Sequence, residues 1–556
     1  MKILLLAHSF NSLSQRLHVE LRRMGHEVSV ELDVNDDLVR EAAALFAPDL
    51  VLAPYLRRAI PEDVWRKKTC LVVHPGPEGD RGPSALDWAV LEGAPRWGVT
   101  VFQAEAEMDA GPVWATAGFP LRAASKSSIY RNEVAEATTA AVLEASGRLE
   151  RGGFTPARVP GTRRPLMTQS DRSVDWTKDD AAAVIRKINA SDGWPGVQDE
   201  VLGREVFLYD ARPAAGSNSF PQVHAARPGD VLGACRGAIC RAAAEGSVWI
   251  GQMRPRRADG PSAFKLPSTA ALGQAAAGLP ELKSGPDDIS YEEKGEVGYL
   301  SFGFYNGAMG VSECRRLASA LLQALRRPTK VVCLLGGPDS WSNGIHLNLI
   351  EAAESPADES WRNIQAMNDL VREIVNAAGH VTVSALRGSC AAGGCFLAIA
   401  ADFVVAREGV VLNPHYKSMG NLYGSEYWTY NLPRRAGARA AERIMSLRLP
   451  MGGQEALSRR LVDEVWPSAE FESRLHEFAR RLAADSGRLL EEKRSRRERD
   501  EAARPLEDYR REELERMKFN FYGFDPSYHV ARHHFVHKTP KSWTPVHLAR
   551  HRDKRG

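Results

Sequence analysis

Residues 387–400 read RGSCAAGGCFLAIA, a run of small residues that leads directly into an apolar segment with helical character. Glycine permits close backbone approach, and the first N–H groups of a helix have no partner within that helix. The stretch therefore predicts a helix N-terminus that can bind a negatively charged oxygen. A second small-residue turn, Trp341-Ser342-Asn343-Gly344, follows the apolar strand predicted at 331–335. Together the two turns indicate a pair of backbone N–H groups aimed at one carbonyl oxygen, which is what thioester chemistry needs.

The loop at 415–430, HYKSMGNLYGSEYWTY, is dense in titratable and aromatic side chains. We interpret Tyr427, Trp428 and Tyr430 as core residues. Tyr416 and Glu426 are the candidates for function, because a phenol and a carboxyl group can both move protons during a reaction.

The first half of the chain carries another candidate pair, in Val72-Val73-His74-Pro75-Gly76 and Met108-Asp109-Ala110-Gly111-Pro112. His74 and Asp109 each follow a predicted strand and precede a Gly/Pro turn, which exposes the side chain at a sheet edge. Taken singly, each is more typical of an ordinary turn. Taken together, an imidazole and a carboxylate can shuttle protons between a leaving and an attacking atom.

Hydrophobic periodicity predicts a multidomain α/β protein. Residues 1–155 alternate strand-like and helix-like segments, which indicates a doubly wound sheet. Residues 160–269 predict a helix followed by a small OB-like β-barrel, and 270–287 an Ala/Gly-rich linker. Residues 288–470 return to an α/β pattern. Residues 471–556 predict charge-rich helices with solvated faces and an aromatic, His-rich tail.

Composition excludes several functional classes. The 556 residues include 73 Lys and Arg against 70 Asp and Glu, a net charge of +3, which is not the basic balance of a general nucleic-acid binder. No apolar run is long enough to span a bilayer, so no membrane association is expected. The seven cysteines are an odd number and do not form a disulfide framework, which favours the cytoplasm.

Four histidines of the tail, His529, His533, His534 and His537, have spacings that could place three of them on one helix face. A polar tail is the favoured interpretation, because zinc sites usually add a cysteine or a carboxylate to such a pair. The sequence therefore predicts no metal.

The motifs around His74 and Asp109 resemble those of the 10-formyltetrahydrofolate-dependent formyltransferases over residues 1–155. Asp175-Trp176 and Trp194-Pro195-Gly196 extend that resemblance to about residue 260. The resemblance implies that His74 and Asp109 are catalytic, whereas Val72 stands where the family has an asparagine that donates to the oxyanion. If the formyl group is accepted by a thiol, which is a better nucleophile than an amine, the reaction would tolerate the loss of this oxyanion donor. Substitute substrate contacts are expected from the following loop, namely from Gly82, Pro83, Ser84 and Asp87.

Residues 288–470 resemble the crotonase (enoyl-CoA hydratase/isomerase) superfamily through the two small-residue turns. The resemblance implies an oxyanion hole made by the backbone N–H groups of Asn343 and Gly393, with Gly344 and Gly394 beside the substrate. The two glutamates of the hydratases are replaced by Phe396 and His415. Water addition to a double bond is therefore not expected.

The two halves in one chain resemble the HypX (HoxX) family of NiFe-hydrogenase maturation factors. That resemblance implies synthesis of carbon monoxide for the NiFe site. A formyl group would pass from 10-formyltetrahydrofolate to coenzyme A, whose pantetheine arm would reach from the back domain into the front one. Formyl-CoA would then yield carbon monoxide with Glu426 and Tyr416 as base and donor, in an order left open. Small-molecule substrates and NiFe-hydrogenase maturation proteins are the expected partners.

Two alternatives remain at this stage. The chain could be a formyltransferase fused to a coenzyme A thioester hydrolase that releases formate. It could also be a catalytically inactive scaffold that binds folate and coenzyme A during hydrogenase assembly.

Overall fold

The computed structural model describes residues 1–214, 226–256 and 263–553. The chain divides into two compact units, one formed by Met1–Pro286 with Pro540–Gly556 and the other by Asp287–Thr539. Among the described residues, no helix combines the length and the apolar character that crossing a membrane requires.

The first unit begins with a six-stranded sheet in the order β2-β1-β3-β4-β6-β7, and β5 and β8 form a separate two-stranded sheet. The strands are Lys2–Ala7 (β1), Glu27–Leu32 (β2), Leu50–Tyr55 (β3), Thr69–His74 (β4), Asp80–Arg81 (β5), Arg96–Gln103 (β6), Val113–Pro120 (β7) and Thr162–Arg163 (β8). Strands β1 to β4 are mutually parallel; β1, β3 and β4 are mostly apolar and β2 is mostly buried, as expected for a sheet covered on both faces. The predicted doubly wound α/β sheet is confirmed, with β6 and β7 added antiparallel.

Helices of this unit connect the strands or flank the second sheet. They are Ser12–Arg23 (α1), Asp36–Phe46 (α2), Glu62–Trp65 (α3), Ala85–Glu92 (α4), Lys126–Ile129 (α5), Ala135–Arg151 (α6), Gln169–Arg172 (α7), Ala181–Ala190 (α8) and Ser268–Leu272 (α9). A π-helical segment, Tyr130–Val134, joins α5 to α6.

The second sheet of this unit is antiparallel, in the order β11-β12-β13-β10-β9 with β14 paired to β13. Its strands are Val197–Val201 (β9), Arg204–Pro213 (β10), Val231–Cys235 (β11), Ala238–Ala242 (β12), Ser247–Pro255 (β13) and Leu266–Pro267 (β14). The predicted barrel does not close, because β9 and β11 are not paired among the described residues. Side chains span the gap instead: Trp176 donates to Asp199 on β9 (2.8 Å) and stacks against Arg241 on β12, which also binds Asp199 (2.7 Å).

Two segments predicted as linker and tail pack against these sheets. Within 270–287, Leu272 and Leu282 are buried. The described residues after 540 lie along the edge strand β2, where the Val30 N–H donates to the Leu548 carbonyl (3.0 Å) and the Leu32 N–H to Thr544 Oγ1 (2.8 Å).

The second unit is built on a six-stranded sheet in the order β15-β16-β17-β18-β20-β23, parallel except for β15, and a small sheet, β19-β21-β22. Its strands are Ile289–Lys294 (β15), Val297–Phe302 (β16), Val331–Leu335 (β17), Val381–Leu386 (β18), Cys390–Ala391 (β19), Phe403–Arg407 (β20), Val411–Asn413 (β21), Met451–Gly452 (β22) and Glu464–Trp466 (β23). Its helices are Val311–Ala324 (α10), Leu347–Ala352 (α11), Pro356–Val375 (α12), Gly393–Ile399 (α13), Trp428–Ala436 (α14), Ala438–Ser446 (α15), Gly453–Ser458 (α16), Phe471–Ala484 (α17), Ser486–Ala503 (α18), Leu506–Tyr522 (α19) and Ser527–Val536 (α20).

The charge-rich helices of this unit do not simply present solvated faces. Lys493 of α18 is buried and donates to Asp402 (2.6 Å), and Glu513 of α19 is fully buried. The prediction was wrong for these residues because their partners lie far away in the sequence. Strands β17 and β18 are parallel neighbours, so the turns that follow them lie at the same end of the sheet. Ligands bind at these carboxyl ends of the strands in open α/β sheets.

Candidate active sites

In the first unit, His74 ends β4 and its ring lies between two carboxylates. His74 Nε2 lies 2.8 Å from Asp80 Oδ2, and His74 Nδ1 lies 3.9 Å from Asp109 Oδ1. Arg164 Nε holds the other Asp80 oxygen at 3.1 Å. A carboxylate on each side fixes the orientation of the imidazole.

Asp80 is a functional candidate that the sequence did not reveal. It follows His74 by six residues in a loop rich in Pro and Gly, and the short strand β5 holds it in place by pairing with β8. Gly76 sits where the two side chains meet, because a methyl group there would collide with His74 and Asp80. The only sequence signal was a carboxylate shortly after the histidine.

Asp109 adopts a left-handed backbone conformation (φ 59°) in the turn between β6 and β7. Its Oδ2 accepts the Gly82 N–H at 3.1 Å, which fixes the carboxylate close to His74. Gly111 completes the turn, because any side chain there would collide with the Gln103 carbonyl. The Asp109 side chain remains 22% exposed, so a substrate can reach its carboxylate.

The other residues predicted for this site have different surroundings. Val72 lies two residues before His74 and therefore faces the same side of β4, where its side chain offers no hydrogen bond. Ser84 Oγ accepts the Met167 N–H (3.1 Å), and Asp87 pairs with Lys126 (2.9 Å). Pro83 is exposed. Of the four loop residues predicted to contact the substrate, Gly82 is the one for which the structure shows a hydrogen bond to Asp109.

In the second unit, the Tyr416 hydroxyl donates a hydrogen bond to Glu426 Oε2. Both side chains are buried, with Glu426 1% exposed. Glu426 has a left-handed backbone (φ 62°). Its carboxylate lies against Gly393 at the N-terminus of α13, so closely that a methyl group on Gly393 would collide with Oε1. The structure therefore brings together the three residues Tyr416, Glu426 and Gly393.

Burial dominates the ionisation of this pair. Loss of solvent raises the pKa of Glu426 to about 7, against smaller opposing contributions from its hydrogen bonds to Tyr416 and Ser425. Burial, and then the negative charge of Glu426, raise the pKa of Tyr416 well above its usual value. Near neutral pH the carboxyl group is poised between its two forms while the phenol keeps its proton.

A buried polar network supports the loop that carries Glu426. Asn368 on α12 accepts the Glu426 N–H (2.8 Å). Glu513 on α19 accepts the N–H groups of Tyr427 (2.9 Å) and Thr429 (2.8 Å). Burial raises the pKa of Glu513 to about 8. Asn368 and Glu513 are not visible in the sequence as parts of a site, because helices far along the chain supply them.

The predicted oxyanion hole is only partly preformed. Gly344 approaches Gly393 closely: a methyl group on Gly344 would lie 3.2 Å from the Gly393 nitrogen. The Asn343 N–H, however, donates to the Gly307 carbonyl (2.7 Å), and the Gly344 N–H donates to Ser342 Oγ (3.1 Å). Gly394 packs on the Ser342 carbonyl. The Asn343 amide becomes available to a ligand only if the Gly307 carbonyl moves away.

Phe396 and His415 are the residues that, by resemblance, stand in place of the two hydratase glutamates. Phe396 is buried and stacks on Tyr416, with ring centroids 5.3 Å apart and planes 19° from parallel. His415 is buried beside Tyr416 in the chain. An apolar ring thus stacks on the phenol of the Tyr416–Glu426 pair.

The sequence matches three family models. They are Formyl transferase over residues 7–146, Formyl transferase, C-terminal domain over 166–264, and Enoyl-CoA hydratase/isomerase over 312–545. Methionyl-tRNA formyltransferase from Dechloromonas aromatica is 30% identical over 28% of this chain and 50% of that protein. The chain therefore combines formyltransferase and crotonase-type modules.

Two relatives match over their full length. The hydrogenase maturation factor HoxX from Bradyrhizobium diazoefficiens is 55% identical, over 100% of this chain and 98% of that protein. A crystal structure of HypX from Aquifex aeolicus in complex with tetrahydrofolic acid is 46% identical, with a TM-score of 0.95 over 100% of this chain and 99% of that one. The chain thus belongs to the HypX/HoxX family of hydrogenase maturation factors.

Proposed function

We propose that this protein makes carbon monoxide for the NiFe site of a hydrogenase in two steps. A formyl group passes from 10-formyltetrahydrofolate to the thiol of coenzyme A, and formyl-CoA is then split into carbon monoxide and coenzyme A. The observation that carries the proposal is the buried Tyr416–Glu426 pair against Gly393, in a crotonase-type unit that lacks the hydratase glutamates.

The group around His74 supports the first step. His74 would take the thiol proton and deliver it to N10 of the folate as the C–N bond breaks and the new C–S bond forms. Asp80 and Asp109 would stabilise the imidazolium between these two events. The match to the formyltransferase family and the tetrahydrofolate complex of Aquifex aeolicus HypX support folate as the donor.

The second step is a proton transfer from carbon to sulfur. Glu426 would remove the formyl proton and the C–S electron pair would leave with sulfur. Tyr416 would protonate the thiolate and recover its proton from Glu426 through the hydrogen bond between them. Carbon monoxide and coenzyme A account for all atoms. The pKa of Glu426 near 7 suits a general base at neutral pH, and the high pKa of Tyr416 keeps its phenol protonated until the thiolate forms.

The oxygen of the thioester would be held at the start of α13. The Gly393 amide belongs to the first turn of that helix, where backbone N–H groups favour negative charge. The Asn343 amide would contribute once the Gly307 carbonyl has moved.

Partners and cellular location follow from the product. We expect the reaction in the cytoplasm, and we expect the other NiFe-hydrogenase maturation proteins to receive the carbon monoxide. Coenzyme A and 10-formyltetrahydrofolate are the small-molecule partners.

The test is to incubate the purified protein with 10-formyltetrahydrofolate and coenzyme A and to trap released gas with deoxyhaemoglobin. A carbon monoxide spectrum should require both substrates. It should disappear in Glu426→Gln, which keeps the size of the side chain and removes the base, and persist in the exposed control Glu408→Gln. Formate without carbon monoxide would instead establish a thioester hydrolase, and ligand binding without turnover would establish a scaffold.

A further inference from the structure

A cluster of two imidazoles and one carboxylate lies in the second unit, on residues that take no part in the proposed chemistry. His533 Nδ1 lies 2.8 Å from Glu351 Oε1, and His537 Nε2 lies 3.2 Å from the same oxygen. One ligand atom from each of the three residues lies within 4.8 Å of the other two. The histidines belong to α20 and its C-terminal cap, and the glutamate to α11.

The cluster is held by its surroundings. The His537 N–H donates to the His533 carbonyl (2.9 Å), so the helical turn that stacks the two rings is intact. Arg532 Nε binds the other oxygen of Glu351 at 2.7 Å and thereby directs Oε1 toward the imidazoles. Partners of this kind orient ligands around metal ions in proteins.

Charge and solvent access also suit a cation. The Glu351 carboxylate places negative charge beside the two imidazole nitrogens, at 2.8 Å from His533 Nδ1 and 3.2 Å from His537 Nε2. The Glu351 and His537 side chains are each 10% exposed, whereas His533 is 48% exposed. The cluster therefore has a buried side that supplies ligands and an open side through which an ion and its waters can enter.

We propose that Glu351, His533 and His537 bind one divalent transition-metal ion, with Zn²⁺ as the representative, and leave its remaining coordination positions to solvent. Histidine nitrogen and carboxylate oxygen bind Zn²⁺ at about 2.0–2.2 Å, so tetrahedral ligand atoms lie about 3.3 Å apart. The distances of 2.8 and 3.2 Å to Glu351 Oε1 require only small side-chain movements. The ion would replace the N–H protons that now point at this oxygen and would connect α11 to α20.

The experiment uses the tag-free full chain after dialysis against a chelator, titrated calorimetrically with Zn²⁺ alone. We expect one equivalent to bind, with at least tenfold weaker affinity in His533→Gln and in His537→Gln. His534→Gln is the matched control, because His534 lies on the same helix but is exposed and outside the cluster. Zn²⁺ should raise the melting temperature of the wild type and of the control, but not of His537→Gln.

Two further measurements identify the ligands. Co²⁺ should give visible absorption bands of a nitrogen–oxygen site, without the thiolate charge-transfer band that cysteine ligands produce. Affinity should also fall as the pH is lowered, because protons compete with the ion for the ligand atoms. Absence of saturable Zn²⁺ binding would overturn the proposal, as would wild-type affinity in both His533→Gln and His537→Gln. Because His533 is half exposed, its substitution leaves the fold intact and the test decisive.

Discussion

Each of the two candidate sites contains an acidic residue with a left-handed backbone, but the surroundings of the two carboxylates differ. Asp109 and Glu426 both have a left-handed backbone, φ 59° and 62°, which is uncommon and costly for residues other than glycine. Asp109 is 22% exposed and lies beside an imidazole, whereas Glu426 is 1% exposed and lies beside a phenol. The carboxylate of the first-unit site is therefore accessible to solvent, whereas that of the second-unit site is desolvated.

This difference matches the two reactions that we propose. Transfer between folate and coenzyme A needs an accessible site in which charge is shared between His74 and its carboxylates. Removal of a formyl proton needs a stronger base, and burial supplies it by raising the pKa of Glu426 to about 7. Burial also excludes water, which would convert the thioester to formate.

The sharpest test of the comparison supplies each step with its own substrate. We expect Asp109→Asn to lower carbon monoxide formation from 10-formyltetrahydrofolate and coenzyme A by about 10²–10⁴-fold, the usual contribution of acid–base catalysis. The same variant should release carbon monoxide from preformed formyl-CoA at the wild-type rate. Glu426→Gln should lose both activities. A defect of Asp109→Asn with preformed formyl-CoA would contradict the division of labour.

A second test concerns the contact between Gly393 and Glu426. Gly393→Ala should lower carbon monoxide release from formyl-CoA by about 10²-fold or more, because the methyl group displaces the carboxylate and narrows the oxyanion site. Gly379→Ala is the matched control, since nothing lies within 4 Å of a methyl group there. Equal rates in the two variants would remove Gly393 from the site.

The sequence predicted most of the site residues that lie in turns after strands, although it missed Asp80, and it missed those that reach the sites from elsewhere. His74 and the turn at Gly393 could be predicted because strand ends and small-residue turns are local patterns. Glu513 could not, because its burial depends on α19 packing against a loop more than 80 residues earlier in the chain. Closure of the barrel could not be predicted for a related reason: the strands were visible, but the sequence does not show whether the end strands β9 and β11 pair.

The buried carboxyl group should also affect stability with a definite sign. Glu426 titrates near 7 when folded and near 4.5 when unfolded, so the folded state keeps a proton that the unfolded state releases. The wild type therefore loses stability as pH rises from about 4.5 through 7, by roughly 3 kcal/mol at most. Glu426→Gln cannot ionise, so its melting temperature relative to wild type should increase from pH 5 to pH 8. If the difference in melting temperature between Glu426→Gln and the wild type does not depend on pH, Glu426 ionises alike in the folded and unfolded states.

The smallest expected effect belongs to Asn343, whose proposed role rests on its backbone and not on its side chain. Asn343→Ala keeps the N–H group and removes only the bond from Nδ2 to the Asn306 carbonyl (2.7 Å). We therefore expect carbon monoxide release from formyl-CoA to change by no more than about threefold, in line with the loss of one exposed hydrogen bond. Because that bond helps to hold the loop whose Gly307 carbonyl blocks the amide, the change should appear in KM and leave kcat nearly unaltered. A loss of 10²-fold in kcat would instead mean that the side chain itself donates to the oxyanion. The buried site would then use one side-chain and one backbone donor, and its likeness to a crotonase oxyanion hole would extend only to Gly393.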